Sequence, residues 1–187
     1  MMEKKVFNQS INYIQKKIKE ILDKVSLDDI KKVEKLFFKS KRIFVYGAGR
    51  SGLVAKAFAI RLIHLGFQAF VIGETITAPV KKGDLVIIVS GSGETIPAVM
   101  TAEIAHKIGA YVVSITGKKD SEIAKFANVS IFIASSCDEE ERKKYAPLGT
   151  LFEASVWILF DGLVAELLWS KKETEDTMRS RHATLEH

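Results

Sequence analysis

The residues best suited to chemistry form a run of hydroxyls and glycines directly after an apolar segment. Leu85 to Val89 is apolar throughout, and Ser90-Gly91-Ser92-Gly93-Glu94-Thr95 follows it without a break. Glycines let the backbone approach an oxyanion closely, and convergent N–H and hydroxyl groups can bind it. The helical apolar spacing from Thr95 to Ile108 would turn a positive helix end toward the same anion. We predict a phosphate site formed by Ser90, Gly91, Ser92, Gly93, Glu94 and Thr95; the alternative is a plain polar turn.

A second glycine-rich loop, Gly47-Ala48-Gly49-Arg50-Ser51-Gly52, also follows a strand-like segment and precedes a helical one. It fits the GxGxxG pattern of dinucleotide sites, and Glu74 lies about 20 residues further on, so a nicotinamide cofactor is one interpretation. The chain leaves no room for a separate substrate domain, which favours a small phosphorylated ligand. We therefore favour a ligand held by Gly49, Arg50 and Ser51 over a dinucleotide; the alternative is that Arg50 is merely an exposed cation.

The elements that position these loops alternate between strand and helix. Apolar residues at spacings of three and four predict a pair of amphipathic helices within residues 1–40. Short Val/Ile-rich segments then alternate with helical ones over residues 41–187, and we predict that residues 1–187 form a single domain. Because the strands are apolar on both faces, we expect a doubly wound α/β fold: about five parallel strands flanked by helices, with an N-terminal helical extension.

The expected strand order is flavodoxin-like, with the first and third strands side by side. In that order the loop after Tyr46 and the loop after Val89 open into one crevice at the carboxyl edge of the sheet. The two glycine loops would then share one ligand. The last long helix, Phe152 to Trp169, is apolar on nearly every face, which predicts burial against a partner subunit and hence a homo-oligomer.

Composition narrows the function class further. A hydrophobic share of 47% and a charged share of 27% are typical of soluble globular proteins. No apolar run approaches the roughly 18 residues of a membrane helix, and with no signal-peptide pattern and one cysteine, Cys137, we expect a cytoplasmic protein. The net charge of +5 comes from lysines interspersed with acids at helical spacing, so we expect no nucleic-acid binding. The histidines are scattered, so we predict no metal site.

Four further segments of the sequence contain motifs that are informative in combination with the two loops. They are Arg61-Leu62-Ile63-His64-Leu65-Gly66-Phe67, Val71-Ile72-Gly73-Glu74-Thr75-Ile76-Thr77, Pro147-Leu148-Gly149-Thr150-Leu151-Phe152-Glu153 and Arg181-His182-Ala183-Thr184-Leu185-Glu186. With Tyr46 to Gly52 and Ser90 to Thr95, this combination resembles the sugar isomerase (SIS) domain family and, within it, the 6-phospho-3-hexuloisomerases. The tail departs from the family at Thr184, where asparagine is more frequent.

The resemblance implies interconversion of 3-hexulose 6-phosphate and fructose 6-phosphate without a cofactor, in the ribulose monophosphate pathway of formaldehyde fixation, by a homotetramer. It also implies that Glu153 is the base that moves a proton between two carbons through a cis-enediolate. The alternative for Glu153 is a capping box, in which Thr150 caps the last long helix and Glu153 bonds back to it. Rival functions are another phosphosugar aldose–ketose isomerase and a non-catalytic phosphosugar-binding regulator.

Opening of the sugar ring requires a group that titrates near neutrality, and histidine suits this step. His64 and His182 are the candidates, with a buried structural histidine and a disordered terminus as the respective alternatives. Glu74 and Thr75, at the end of the second strand, and Arg181, beside His182, are possible sugar contacts.

Overall fold

The computed structural model of the chain describes residues 3–134 and 137–182. Helices and strands alternate along most of the described chain. In order they are α1 (Glu3–Leu22), α2 (Leu27–Lys39), β1 (Arg42–Gly47), α3 (Arg50–His64), β2 (Gln68–Val71), β3 (Leu85–Ser90), α4 (Ile96–Ile108), β4 (Tyr111–Thr116), α5 (Glu122–Lys125), β5 (Val129–Phe132), α6 (Glu139–Tyr145), α7 (Thr150–Ser170) and α8 (Glu175–Arg179).

The strands form one parallel five-stranded sheet in the order β2-β1-β3-β4-β5. This confirms the predicted doubly wound, flavodoxin-like arrangement. Strands β1 and β3 are neighbours, and Gly47 at the end of β1 is level with Val89 near the end of β3. The chain leaves β1 toward β2 on one side and β3 toward β4 on the other, so the two loops flank the point where the strand order reverses.

Alternate residues of the strands enter two separate cores, one on each face of the sheet. Ile43, Val45 and Ile87 pack with α3 and α7 on one face, whereas Phe44 and Val86 pack with α4 on the other. Strand β3 is buried along its whole length, as expected for a central parallel strand covered on both faces. The central strands therefore hold the two loops on a rigid base.

The two N-terminal helices pack onto this same body and confirm the predicted helical pair. Helix α1 contacts α6 and α7, and α2 contacts β5 and α7. Ser26 is the N-cap of α2, and its hydroxyl accepts a hydrogen bond of 3.2 Å from the Asp29 N–H. This is the capping that the sequence Ser26-Leu27-Asp28-Asp29 predicts.

The bounds of one strand and the presence of one helix differ from expectation. Strand β2 lies at Gln68–Val71, slightly earlier than the apolar segment Phe70 to Ile72 indicates, because its register is set by pairing with Arg42 to Val45 of β1. Helix α8 was not predicted, since its five residues, EDTMR, carry almost no apolar periodicity. Within the described residues, every helix is too short or too polar to traverse a lipid bilayer.

Candidate active site

The hydroxyls of the loop after β3 converge. The Ser90 hydroxyl lies 3.3 Å from Thr95 Oγ1, and the Ser92 hydroxyl lies 3.4 Å from the same atom. The backbone N–H of Gly93 donates to Ser90 Oγ at 3.2 Å. Thr95 is also the N-cap of α4, so the cluster lies at the positive end of that helix. The loop has the donors and the field that an anion requires.

The curvature of this loop depends on Gly93 and on the neighbouring helix α5. Gly93 has φ +68°, and a Cβ built on it would lie 2.3 Å from Cβ of Ser121 and 2.8 Å from Oγ1 of Thr116. The Glu94 carboxylate turns away from the hydroxyls and accepts a 3.3 Å hydrogen bond from the N–H of Glu122, at the start of α5. Glu94 thus contributes its backbone to the loop, while its charge lies at the positive end of α5.

The loop after β1 brings strand and helix into backbone contact. A Cβ on Gly52 would lie 2.5 Å from the carbonyl oxygen of Gly47, so both positions exclude a side chain. Gly49 has φ +58° and is the N-cap of α3, which places Arg50 and Ser51 in the first turn of that helix. Arg50 extends into solvent with its side chain 70% exposed, whereas the Glu153 side chain that it contacts is only 12% exposed.

The first turn of α7 bridges the two loops. Nε of Arg50 donates a hydrogen bond to Oε2 of Glu153, which joins α7 to the loop after β1. A Cβ on Gly91 would lie only 3.1 Å from the Phe152 ring, so Phe152 lies directly against the loop after β3. Consecutive residues of α7 therefore contact the two predicted anion-binding loops, which brings Glu153, Arg50 and the serine loop together.

The capping-box interpretation of Glu153 is wrong. Gly149, not Thr150, is the N-cap of α7, and the Thr150 hydroxyl donates to the carbonyl of Pro147 at 2.6 Å. The helix begins one residue earlier than a capping box needs, because the Glu153 N–H already bonds to the Gly149 carbonyl at 3.0 Å. The Glu153 carboxylate lies against Gly149 at the start of its own helix and also lines a cavity.

This cavity has a volume of about 490 Å³ and lies between α3 and α7. A carboxylate and a guanidinium lie on one wall, and apolar side chains together with one threonine form the rest. The lining residues are Arg50, Leu53, Val54, Thr150, Glu153, Ala154, Trp157 and Ile158. A carboxylate beside a predicted anion-binding loop and an apolar wall is an arrangement that can remove a proton from a bound phosphorylated substrate.

Glu74 and Thr75 lie apart from this cavity. Both are exposed, and the Glu74 carboxylate forms a 2.5 Å ion pair with Lys56 on the second turn of α3. The turn after β2 is at the same edge of the sheet as the two loops but next to the outer strand. A role for Glu74 and Thr75 in sugar binding stays a prediction.

The two histidines predicted to act on the ring meet each other at the far end of α3. The His64 and His182 rings stack with their centroids 4.9 Å apart. They line a second cavity, of about 310 Å³, with Arg61, Met178 and Arg179 among its other residues. Since α3 rises by about 1.5 Å per residue, His64 lies roughly 20 Å along the helix from Arg50.

Arg181 clamps the tail onto this end of α3. Its guanidinium donates to both carboxylate oxygens of Glu173, at 2.7 and 3.0 Å, and to the carbonyl of His64 at 3.0 Å. Gly66, with φ +77°, makes room, because a Cβ there would lie 3.1 Å from the guanidinium carbon. Arg181 thus fixes His182 beside His64. The remaining residues of the tail motif, Ala183 to Glu186, lie outside the described residues.

This clamp should open in acid. Hydrogen bonds from Arg181 and then Thr177 lower the pKa of Glu173 to about 2 from 4.5. A carboxylate whose pKa is lower in the folded than in the unfolded protein stabilises the fold at pH values above its unfolded pKa. That stabilisation is lost as the pH falls through its folded pKa. We expect the unfolding free energies of wild type and Glu173→Gln to differ by a constant amount above pH 4.5, and the difference to fall with pH and vanish below about pH 2. Urea titrations across this range measure it; a difference that persists at the acid end would contradict the clamp.

Within residues 3–134 and 137–182, no three His, Cys, Asp or Glu side chains are grouped in a way that would hold a metal ion.

Known proteins are similar to this chain in both sequence and fold. The chain is 41% identical over 150 residues to the 3-hexulose-6-phosphate isomerase of Bacillus subtilis, covering 79% of this chain and 81% of that protein. A crystal structure of a Methanococcus jannaschii protein, described as inferring the function of 3-hexulose-6-phosphate isomerase, superposes with a TM-score of 0.78 at 30% identity over 99% of each chain. A further crystal structure, of a protein described as hypothetical, gives a TM-score of 0.94 at 39% identity over 97% of this chain and 98% of that one.

The sequence profile described as the SIS domain matches residues 36–158. The matched region runs from the end of α2 into α7 and so includes the sheet, both glycine loops and Glu153. These matches cover most of the chain. The chain belongs to the SIS domain family.

Proposed function

We propose that this protein is an isomerase that interconverts 3-hexulose 6-phosphate and fructose 6-phosphate without a cofactor. Two relatives with that activity in their names match about four fifths of the chain, at 41% and 36% identity. The single observation that carries the proposal is the position of Glu153: a carboxylate at a cavity wall, one residue from the contact between Phe152 and the serine loop.

The phosphate of the substrate binds in the serine loop. Ser90, Ser92 and Thr95 donate hydroxyl hydrogen bonds, and the first turn of α4 adds its positive field. Ser51, at the second position of α3, reaches the same ligand from the neighbouring loop. The remainder of the sugar then extends toward Glu153 in the cavity between α3 and α7.

The reaction moves a carbonyl between C2 and C3 of an open-chain ketose. Glu153 removes the proton from C3 of fructose 6-phosphate as the C2 carbonyl becomes an enediolate oxygen and a C2–C3 double bond forms. The carboxylic acid then returns its proton to C2, while the hydroxyl proton on the C3 oxygen passes to the C2 oxyanion and C3 becomes the carbonyl. One carboxylate serves both transfers, because C2 and C3 are adjacent and share one face of the planar intermediate. Arg50 fixes the direction of the carboxylate and its positive charge favours the enediolate.

Removal of the Ser90 hydroxyl should weaken substrate binding more than catalysis. Ser90 is 4% exposed, and its hydroxyl joins the Gly93 N–H to Thr95 within the phosphate loop. We expect Ser90→Ala to raise KM about 10-fold, the equivalent of one hydrogen bond to a charged group, with kcat nearly unchanged. Ser114→Ala is the matched control, since it removes a buried hydroxyl from β4 that bonds Ser130. An unchanged KM for Ser90→Ala would count against this loop as the phosphate site.

A neighbouring copy of the chain supplies His64 and His182. Helices α3 and α7 run parallel, with Arg50 against Glu153 and Phe58 stacked on Phe160, and they leave a groove flanked by exposed Leu53, Ile60 and Trp157. Suppose that two α3 helices pack antiparallel about a two-fold axis at Ala57. Each residue of one helix then faces the residue of the other helix that lies equally far from Ala57 in the opposite direction, so Arg50 of one copy faces His64 of the other. The histidines then act on the sugar ring beside Glu153.

The apolar surface supports this assembly. On α3 and α7, Leu53 is 63%, Ile60 56% and Trp157 48% exposed, and on the other side of the sheet α4 exposes Ile96 and Met100. Two separate apolar faces are what a tetramer of two-fold dimers requires. We propose a homotetramer located in the cytoplasm, acting in formaldehyde fixation through the ribulose monophosphate pathway.

Carbon-13 NMR of fructose 6-phosphate incubated with the protein tests the activity. The proposal predicts a new ketone resonance at C3 and a stable ketose ratio approached from either substrate. An aldehyde or hemiacetal resonance at C1 would mean an aldose–ketose isomerase. Unchanged spectra despite binding measured by calorimetry would mean a phosphosugar-binding regulator.

A further inference from the structure

The backbone conformation of Gly149, the N-cap of α7, does not require a glycine. Its φ of −82° and ψ of 6° are open to any residue, unlike those of the positive-φ glycines elsewhere in the chain. The preceding Leu148 takes the left-handed conformation at φ 56° without being glycine. The conformational demand of this turn therefore falls on Leu148, and the lack of a side chain at Gly149 needs another explanation.

The explanation lies in the Glu153 carboxylate. A Cβ built on Gly149 would lie 3.0 Å from Oε1, 3.1 Å from Cδ and 3.4 Å from Oε2 of Glu153. Helical side chains lean toward the N-terminus of their helix, so the Glu153 side chain folds back one turn and rests on the Gly149 Cα. The guanidinium of Arg50 holds the same carboxylate from the solvent side.

We propose that Gly149 is a positioning residue for Glu153. Gly149 does not contact the substrate itself but determines where the Glu153 carboxylate lies. This inference rests on the proposed function, because it assigns Glu153 as the base. Any side chain at position 149 pushes the carboxylate away by tenths of an ångström and turns it against Arg50. The phosphate loop is untouched, because its contact with α7 runs through Phe152.

The expected signature is a loss of kcat without a loss of binding. Gly149→Ala should lower kcat about 10-fold, since displacements approaching 1 Å at a reacting group cost up to about 100-fold. KM for fructose 6-phosphate should stay within about twofold. Gly149→Ser should behave alike although serine is a preferred N-cap residue, so weakening of the helix end cannot be the cause. The matched control is Gly162→Ala on the same helix, where a Cβ meets nothing within 4 Å.

A double variant separates positioning from a structural role. In a Glu153→Gln background the base is already absent, so Gly149→Ala should lower the residual rate no further. A further fall in rate, or full activity of Gly149→Ala alone, would overturn the inference while leaving the isomerase proposal intact. Wild-type protein without isomerase activity would instead overturn the proposed function on which the inference rests.

Discussion

Glu153→Gln should lower kcat by about 10³-fold, within the range that a positioned acid–base group contributes, and leave the fold intact. Glutamine keeps the shape of the side chain and can still accept a hydrogen bond from Arg50, but it cannot take the proton from carbon. KM should change little, because the proposed phosphate site is formed by the hydroxyls of Ser90, Ser92 and Thr95 and not by Glu153. Steady-state kinetics with fructose 6-phosphate measure kcat and KM, and thermal unfolding of both proteins shows whether the fold is intact.

Glu166→Gln is the control, since it neutralises an exposed carboxylate on the same helix. It should leave both kcat and the melting temperature near wild type. The contrary pattern for Glu153→Gln, a lower melting temperature with full turnover, would return Glu153 to a structural role in α7.

Mixing two inactive variants should restore activity if neighbouring subunits share each site. Glu153→Gln and His64→Asn each remove one essential group, and the two groups lie roughly 20 Å apart within one chain. After subunit exchange about half of the two-fold pairs are mixed, and each mixed pair has one intact site, so about a quarter of the wild-type rate should return. The measurement is activity against exchange time, with mixed pairs counted by native mass spectrometry.

Arg50→Met mixed with Glu153→Gln is the control for this experiment. Arg50 and Glu153 contact each other within one chain, so no mixed pair regains a complete site. Should His64→Asn retain full activity, or should mixed pairs form without any recovery, the histidine pair would have no place in the neighbouring site.

The sequence predicts the fold well because its signals are local and repeated. Segments such as Leu85 to Val89 are apolar on both faces, which only a covered parallel strand satisfies, and the helices between them set a right-handed alternation. The neighbouring positions of β1 and β3 then follow from the strand order, and with them the meeting of the two glycine loops.

The details of the site depend on contacts that spacing does not encode. The pattern Thr150-Leu151-Phe152-Glu153 predicts a capping box, but Gly149 is the N-cap, and the carboxylate of Glu153 pairs with Arg50, over 100 positions earlier in the chain. The role of Glu173 cannot be predicted from the sequence either. It depends on Arg181, which bonds both Glu173 and the carbonyl of His64 only in the folded chain. For the role of Gly149, the one local signal in the sequence is its position directly before the helix that carries the candidate base.

Proton NMR of fructose 6-phosphate in D2O with wild-type protein and Glu153→Gln tests the central claim most directly. A base that moves a proton between C2 and C3 exchanges it with solvent deuterium during the lifetime of the enediolate. We predict loss of the C3 proton signal with wild type, retention of the C1 protons, and at least a 100-fold slower loss with folded Glu153→Gln. Exchange at C1 in place of C3, or exchange that continues unchanged in Glu153→Gln, would contradict the assignment of this reaction to this carboxylate.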